Sequence, residues 1–195
     1  MDYAAKFDQG LSYADFLGRY GSDEHRRRWA ALHAEVTLTA AQRELLAGFR
    51  REMKVLCLAG AWCGDCVNQC PIFDHFAAAT PRLQVRYLDR DDHADLAASL
   101  RICGGARVPV VVFLSEDGQL CGLYGDRTLA KYRQIAAQQL GAQLAGAQQS
   151  GASCPTGIGA DTPLLAAVTQ DWLDEFERVQ WMLRVSPRLR QLHGD

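Results

Sequence analysis

Two of the seven cysteines in this chain of 195 residues, Cys63 and Cys66, are separated only by Gly64 and Asp65. They stand where a short apolar run, Val55-Leu56-Cys57-Leu58-Ala59, gives way to a helix-forming segment. Two sulfurs one helical turn apart come within bonding reach of each other, which suits disulfide exchange or metal ligation. A cysteine at a helix N-terminus meets unpaired backbone N–H groups and the positive end of the helix dipole. Both favour the thiolate, the attacking species. Cys63, at the mouth of the turn, is therefore the expected nucleophile. Cys66, one turn further in, can attack the mixed disulfide that Cys63 forms with a substrate.

The neighbouring residues modulate that chemistry. Asp65 opposes a thiolate on Cys63 by like charge yet favours a helix start. With nothing cationic beside the pair, a reductant or balanced exchanger is expected. Cys70 follows Cys66 by four and Cys63 by seven, so all three can share one helix face. It is readable as a backup resolving thiol, a metal ligand or a core residue. Cys57 reads as a small buried hydrophobe, and Cys121 as strand filling. Cys103, in the loop Ile102-Cys103-Gly104-Gly105-Ala106-Arg107-Val108, can approach the dithiol, and Cys154 reads as a surface thiol. His25, His33, His75, His93 and His193 share no metal-ligand spacing, and His75 is expected to face solvent. No resident metal or cofactor is expected.

The elements that must hold the pair are legible from period and punctuation. Ser12 can cap a short helix carrying Tyr13, Phe16, Leu17 and Tyr20, closed by Gly21; a second helix runs from about Asp23 to Glu35. Thr39 and Gln42 have capping-box spacing ahead of a stripe of Leu45, Leu46 and Phe49. After the first strand, Gly64 to Ala79 reads as a helix, Leu83 to Leu88 as a strand and Ala94 to Leu100 as a short helix. Val110 to Leu114 and Leu120 to Tyr124 form a hairpin through Glu116-Asp117-Gly118, followed by a helix from about Leu129 to Leu144. A Gly/Ala/Ser/Gln stretch then resembles a flexible linker. Beyond it Leu165, Val168, Trp172, Phe176, Val179 and Leu183 recur at helical spacing up to Pro187. This yields a helical extension over residues 1–52, an α/β domain over 53–145, a linker over 146–160 and a C-terminal helical extension over 161–195. The apolar stripe of that last helix is expected to dock on its own domain or on a second subunit, away from Trp62-Cys63. The N-terminal helices, with Tyr13, Phe16, Trp29 and Leu32, offer it a surface.

Composition excludes several classes. A net charge of −2 leaves no footprint for nucleic acid, and Arg26-Arg27-Arg28 reads as a solvated helix face. No segment has the apolar length of a membrane span or a secretory leader. Such a chain is expected in the cytoplasm, where thiols stay reduced, and there clustered, odd-numbered cysteines point to catalysis or to metal binding.

The segment Ala61-Trp62-Cys63-Gly64-Asp65-Cys66, Pro71 five residues beyond the pair, and Val108-Pro109 opening the third strand together resemble the thioredoxins. The resemblance spans Met53 to Gly141 and is greatest to a branch with an N-terminal helical segment and a Trp-Cys-Gly-Asp-Cys centre. It implies a thioredoxin fold, a mixed central sheet flanked by helices, with Cys63 and Cys66 catalytic. It also implies a cis peptide before Pro109, a substrate-binding role for Trp62, Val108 and Pro109, and redox tuning by Gly64 and Asp65. The implied partners are disulfide-containing proteins or low-molecular-weight substrates and a separate electron donor, a flavin reductase or a small thiol. Two departures stand out. Cys57 and Tyr87 occupy the places of the buried aspartate and lysine of thioredoxins, so either proton transfer falls to water or to Glu52, Asp89 or Asp91, or exchange is slower. The residues also leave open a module in which Cys63, Cys66 and Cys70, with Cys103 or His75, bind zinc or an iron–sulfur cluster. An adaptor whose terminal helices matter more than its dithiol is open as well.

Overall fold

The computed structural model describes residues 1–148 and 164–195; Cys154 and most of the expected linker lie outside the described residues. Four helices come first: α1 (Tyr3–Asp8), α2 (Tyr13–Tyr20), α3 (Asp23–Glu35) and α4 (Ala40–Ala47). Each begins at a polar cap, Asp2, Ser12, Ser22 or Thr39, whose side chain accepts a backbone N–H three residues on. Such caps satisfy donors that a helix start leaves unpaired. There follow β1 (Met53–Ala59), α5 (Gly64–Ala79), β2 (Leu83–Asp89), α6 (Ala94–Ser99), β3 (Val110–Ser115), β4 (Leu120–Gly125) and α7 (Leu129–Gln148). The chain ends with α8 (Leu164–Val185) and α9 (Pro187–His193).

Two helices, α1 and α9, go beyond the sequence expectation. Pro187 interrupts α8 but also starts α9, where a first-turn proline loses no hydrogen bond and Ser186 caps the Leu189 N–H.

The sheet has the order β2-β1-β3-β4. β2 runs parallel to β1, whereas β3 is antiparallel to both β1 and β4. β1 and β3 are therefore central and covered on both faces, which is why both read as unbroken apolar runs. At the edge, β4 is half-exposed. Gly118, at φ +81°, supplies the left-handed residue of the β3–β4 turn.

Aromatic side chains divide the core into two clusters. Tyr13, Phe16 and Trp29 of α2 and α3 gather with Tyr87 of β2. Trp172 and Phe176 of α8 meet Phe73 and Phe76 of α5, Phe113 of β3 and Tyr124 of β4. The C-terminal helix thus docks on its own domain; of the N-terminal residues expected to offer it a surface, Leu32 lines a pocket with Leu164, Leu165 and Val168 of α8, whereas Tyr13, Phe16 and Trp29 gather about Tyr87. Those residues are already covered by Tyr87, so α8 takes the other aromatic surface. Among the described residues no helix is long and apolar enough to cross a membrane.

Candidate active site

β1 ends at Ala59, and Gly60 to Trp62 turn the chain into α5. Cys63 is the N-cap residue of α5, and its N–H donates to Gly60 O at 3.0 Å. Unlike the caps of α1 to α4, its side chain makes no capping hydrogen bond and stays free for chemistry. The turn is pinned by the Trp29 indole, which donates to Ala61 O at 2.9 Å. Glycine is needed at position 60, where a Cβ would stand 2.7 Å from the Trp62 ring. Trp62 itself is half-exposed, with the Arg90 guanidinium 4.4 Å above its ring.

Cys63 retains 9% exposure, whereas Cys57, Cys66 and Cys70 retain none. Cys63 Sγ lies 3.4 Å from Val108 O, across from the cis peptide Val108–Pro109. Cys66 Sγ accepts the Gly60 N–H at 3.4 Å. Trp62, Cys63, Cys66, Val108 and Pro109 thus meet at one place, with Gly64 and Asp65 opening the helix.

The protons of Cys63 and Cys66 leave in two widely separated steps. Burial works against a thiolate on Cys66, but hydrogen bonds from the Cys63 and Cys70 thiols and the Gly60 N–H outweigh it. The first proton therefore leaves the pair below the ordinary thiol range. The hydrogen bond that Cys63 gives Cys66, with burial and like charge, then holds the second proton well above that range. The charge belongs to the pair, and Cys63 is the sulfur that stands at the helix N-terminus and the surface.

The absence of a cation beside the pair is a sequence expectation that the structure corrects. Arg127, from the segment after β4, binds Asp65 at 2.7 Å and also lies 3.5 Å from Asp126. Arg107 lies 3.1 Å from Asp126, and the Tyr132 hydroxyl donates to the same carboxylate. Burial alone would raise the Asp126 carboxyl, but these hydrogen bonds outweigh it and hold it low. Arg28 is no remote face residue either, since a Cβ on Gly64 would lie 3.8 Å from its guanidinium. Gln69 ties the cluster together, donating to Asp65 O and Asp126 O while accepting the Trp172 indole N–H.

Of the side chains named for proton transfer, Glu52 lies 4.0 Å from Arg82, Asp89 accepts the Asp91 and Asp92 N–H groups, and Asp91 pairs with Arg90. Another expectation needs revision. His75 does not simply face solvent. It is half-buried, stacks at 4.2 Å on His33, and donates to His33 O at 3.0 Å. Cys103 is exposed in a tight turn closed by Ile102 and Gly105. Cys57 does lie beside Tyr87 in the β1–β2 register, and the Tyr87 hydroxyl donates to Cys70 O at 3.1 Å. Among the described residues, no group of three or more His, Cys, Asp or Glu is arranged to hold a metal ion.

Two results follow from this geometry. Brief iodoacetamide treatment of the reduced protein should label Cys63 ahead of Cys57, Cys66 and Cys70, read by peptide mass spectrometry. The rate should fall as pH is lowered, with its midpoint under the ordinary thiol value of about 8.5; labelling led by a buried cysteine would refute the nucleophile assignment. Asp65→Asn removes a like charge from beside the thiolate and so favours the reduced form. A glutathione redox titration should move to a more oxidising potential by at least about 10 mV, roughly 0.5 kcal/mol for two electrons. A smaller or opposite shift would limit Asp65 to starting the helix.

The sheet order, with a dithiol at the N-terminus of α5 opposite a cis-proline, defines a thioredoxin fold. The chain belongs to the thioredoxin family, whose model its residues 10–138 match. The match takes in α2 to α4 as well as the sheet. A Pseudomonas aeruginosa protein of unknown function has a similar structure: TM-score 0.63, 21% identity, 92% of this chain and 96% of the other covered. An HIV epitope scaffold is similar too, with TM-score 0.58 and 19% identity over 100% of this chain and 99% of the other. At these identities the two structures show the fold alone. No curated protein matches in sequence.

Proposed function

We propose that this protein is a thiol–disulfide oxidoreductase acting through Cys63 and Cys66. One observation carries the reading: an N-cap cysteine whose side chain makes no capping hydrogen bond faces Val108 O, one helical turn from a second, buried thiol supported by the Gly60 N–H. Cys63 thiolate attacks one sulfur of a substrate disulfide, and the other sulfur leaves as a thiolate and takes a proton. Cys66 then loses its proton and attacks Cys63 Sγ; the second substrate thiol departs and the Cys63–Cys66 disulfide remains. A separate thiol or flavin-linked donor returns the two electrons.

The backbone of Val108 supports an extended substrate segment laid alongside it, with Trp62 as an apolar wall. The substrates are disulfides of proteins or small thiols, and the compartment is the cytoplasm, where such a dithiol is kept reduced. Insulin reduction with dithiothreitol as electron source tests the reading. Catalysed precipitation of the insulin B chain is the expected result, and a rate equal to that of dithiothreitol alone would refute it.

A further inference from the structure

Two further thiols lie directly behind the pair. Cys66 stands between Cys63 and Cys70 on one face of α5, and Cys66, Cys70 and Cys57 are fully buried. Cys70 Sγ in turn lies 3.8 Å from Cys57 Sγ. The order Cys63, Cys66, Cys70, Cys57 thus runs from the start of α5 into the core. Its origin is simple. Positions 63, 66 and 70 share the face of α5 turned to the sheet, and Cys57 rises from the middle of β1 to meet them. Tyr87, paired with Cys57 in register, fixes Cys70 through its main-chain oxygen.

We propose that Cys57 and Cys70 are a second, internal dithiol that takes over the Cys63–Cys66 disulfide by exchange through Cys66. The proposal rests on the oxidoreductase reading above. In the first step Cys70 Sγ attacks Cys66 Sγ. The Cys63–Cys66 bond breaks, and Cys63 receives the electron pair and a proton equivalent to the one lost from Cys70. In the second step Cys57 Sγ attacks Cys70 Sγ. The Cys66–Cys70 bond breaks, and Cys66 receives the electron pair and the proton lost from Cys57. The net change converts two inner thiols to a disulfide and restores the outer dithiol, with no other oxidant than the substrate disulfide already consumed. One chain then reduces two substrate disulfides before it needs a donor.

The physical setting suits storage more than rapid turnover. Burial raises the Cys57 and Cys70 thiols, so thiolate at either is scarce and transfer is slow compared with exchange at Cys63. The inner disulfide carries no charge and costs nothing to bury. Forming it requires the sulfurs to close from 3.8 Å to about 2.05 Å. Once formed it is shielded from bulky reductants, which reach it only by way of Cys66.

The test uses the full reduced chain and excess oxidised glutathione, a disulfide too large to enter the core. Acid quenching, alkylation under denaturing conditions and non-reducing peptide mapping then follow all four cysteines with time. A Cys57–Cys70 link that appears after the Cys63–Cys66 link, and is suppressed at least tenfold in rate in Cys66→Ser, is the expected result. Cys63–Cys66 formed with Cys57 and Cys70 still alkylated would overturn the relay alone. An inner link forming as fast in Cys66→Ser would also overturn it. No Cys63–Cys66 link at all would overturn both the relay and the oxidoreductase reading.

Discussion

Cys63→Ser should lower the rate of disulfide reduction by at least about a thousand-fold, because a hydroxyl at that position cannot supply the thiolate that opens the substrate bond. The loss should fall on the chemical step, since Val108, Pro109 and Trp62 remain to bind substrate. Cys66→Ser should behave differently. Its Cys63 retains the helix N-terminus and still attacks, but the mixed disulfide has no resolving thiol. Covalent adducts with a disulfide-bearing protein should therefore accumulate, visible as a mass shift that reductant reverses. Equal turnover in Cys63→Ser and the parent protein would remove the dithiol from the mechanism. Adducts formed on Cys66 in place of Cys63 would reverse the two roles.

Trp172→Ala should cost about 3–5 kcal/mol of folding stability, as truncation of a buried large aromatic does. Trp172 is fully buried, edge-on to Phe73 at 4.6 Å and to Tyr124 at 4.9 Å. Its indole also satisfies Gln69 Oε1 at 2.9 Å, so truncation orphans an acceptor next to the site. Against a typical domain stability of about 5–15 kcal/mol the change is large. Trp181 on the same helix is the control, because it is 50% exposed. Its replacement by alanine should change stability by no more than about 0.5 kcal/mol. Urea unfolding followed by circular dichroism measures both. A loss under about 1 kcal/mol for Trp172→Ala would mean that α8 is a detachable segment, and the adaptor reading of the sequence would gain support.

Local signals account for what was legible in the sequence. The Ser12 cap, the Thr39–Gln42 capping box and the stop at Gly21 each act within one helical turn. They place a helix end whatever lies across the fold. The apolar runs at Val55–Ala59 and Val110–Leu114 announce central strands because burial on both faces removes alternation. The resemblance places Tyr87 on the strand beside Cys57, and the β1–β2 register pairs the two. The Cys63/Cys66 pair at a strand-to-helix turn is itself a local feature, and its chemistry can be read from spacing and helix polarity alone.

What the sequence could not specify is which distant side chains meet. Arg127 reaches Asp65 only because β4 lies at the sheet edge and returns the chain beside the start of α5. No spacing rule connects those two residues, so the pair was read as lacking a cation. His75 was assigned to solvent because a helix position shows its own face but not its neighbour, and the neighbour is α3 with His33. The apolar stripe of α8 demanded a partner but could not choose between two aromatic surfaces; Tyr87 occupies one, leaving Phe73, Phe76 and Phe113 for Trp172 and Phe176. The sequence alone therefore determined the helix starts, the central strands and the place of Cys63 and Cys66 at a strand-to-helix turn, because each depends on neighbours along the chain. Tertiary structure decided the charge around that pair, the seat of α8 and the contact of Cys57 with Cys70, because each depends on side chains brought together only when helices close over the sheet.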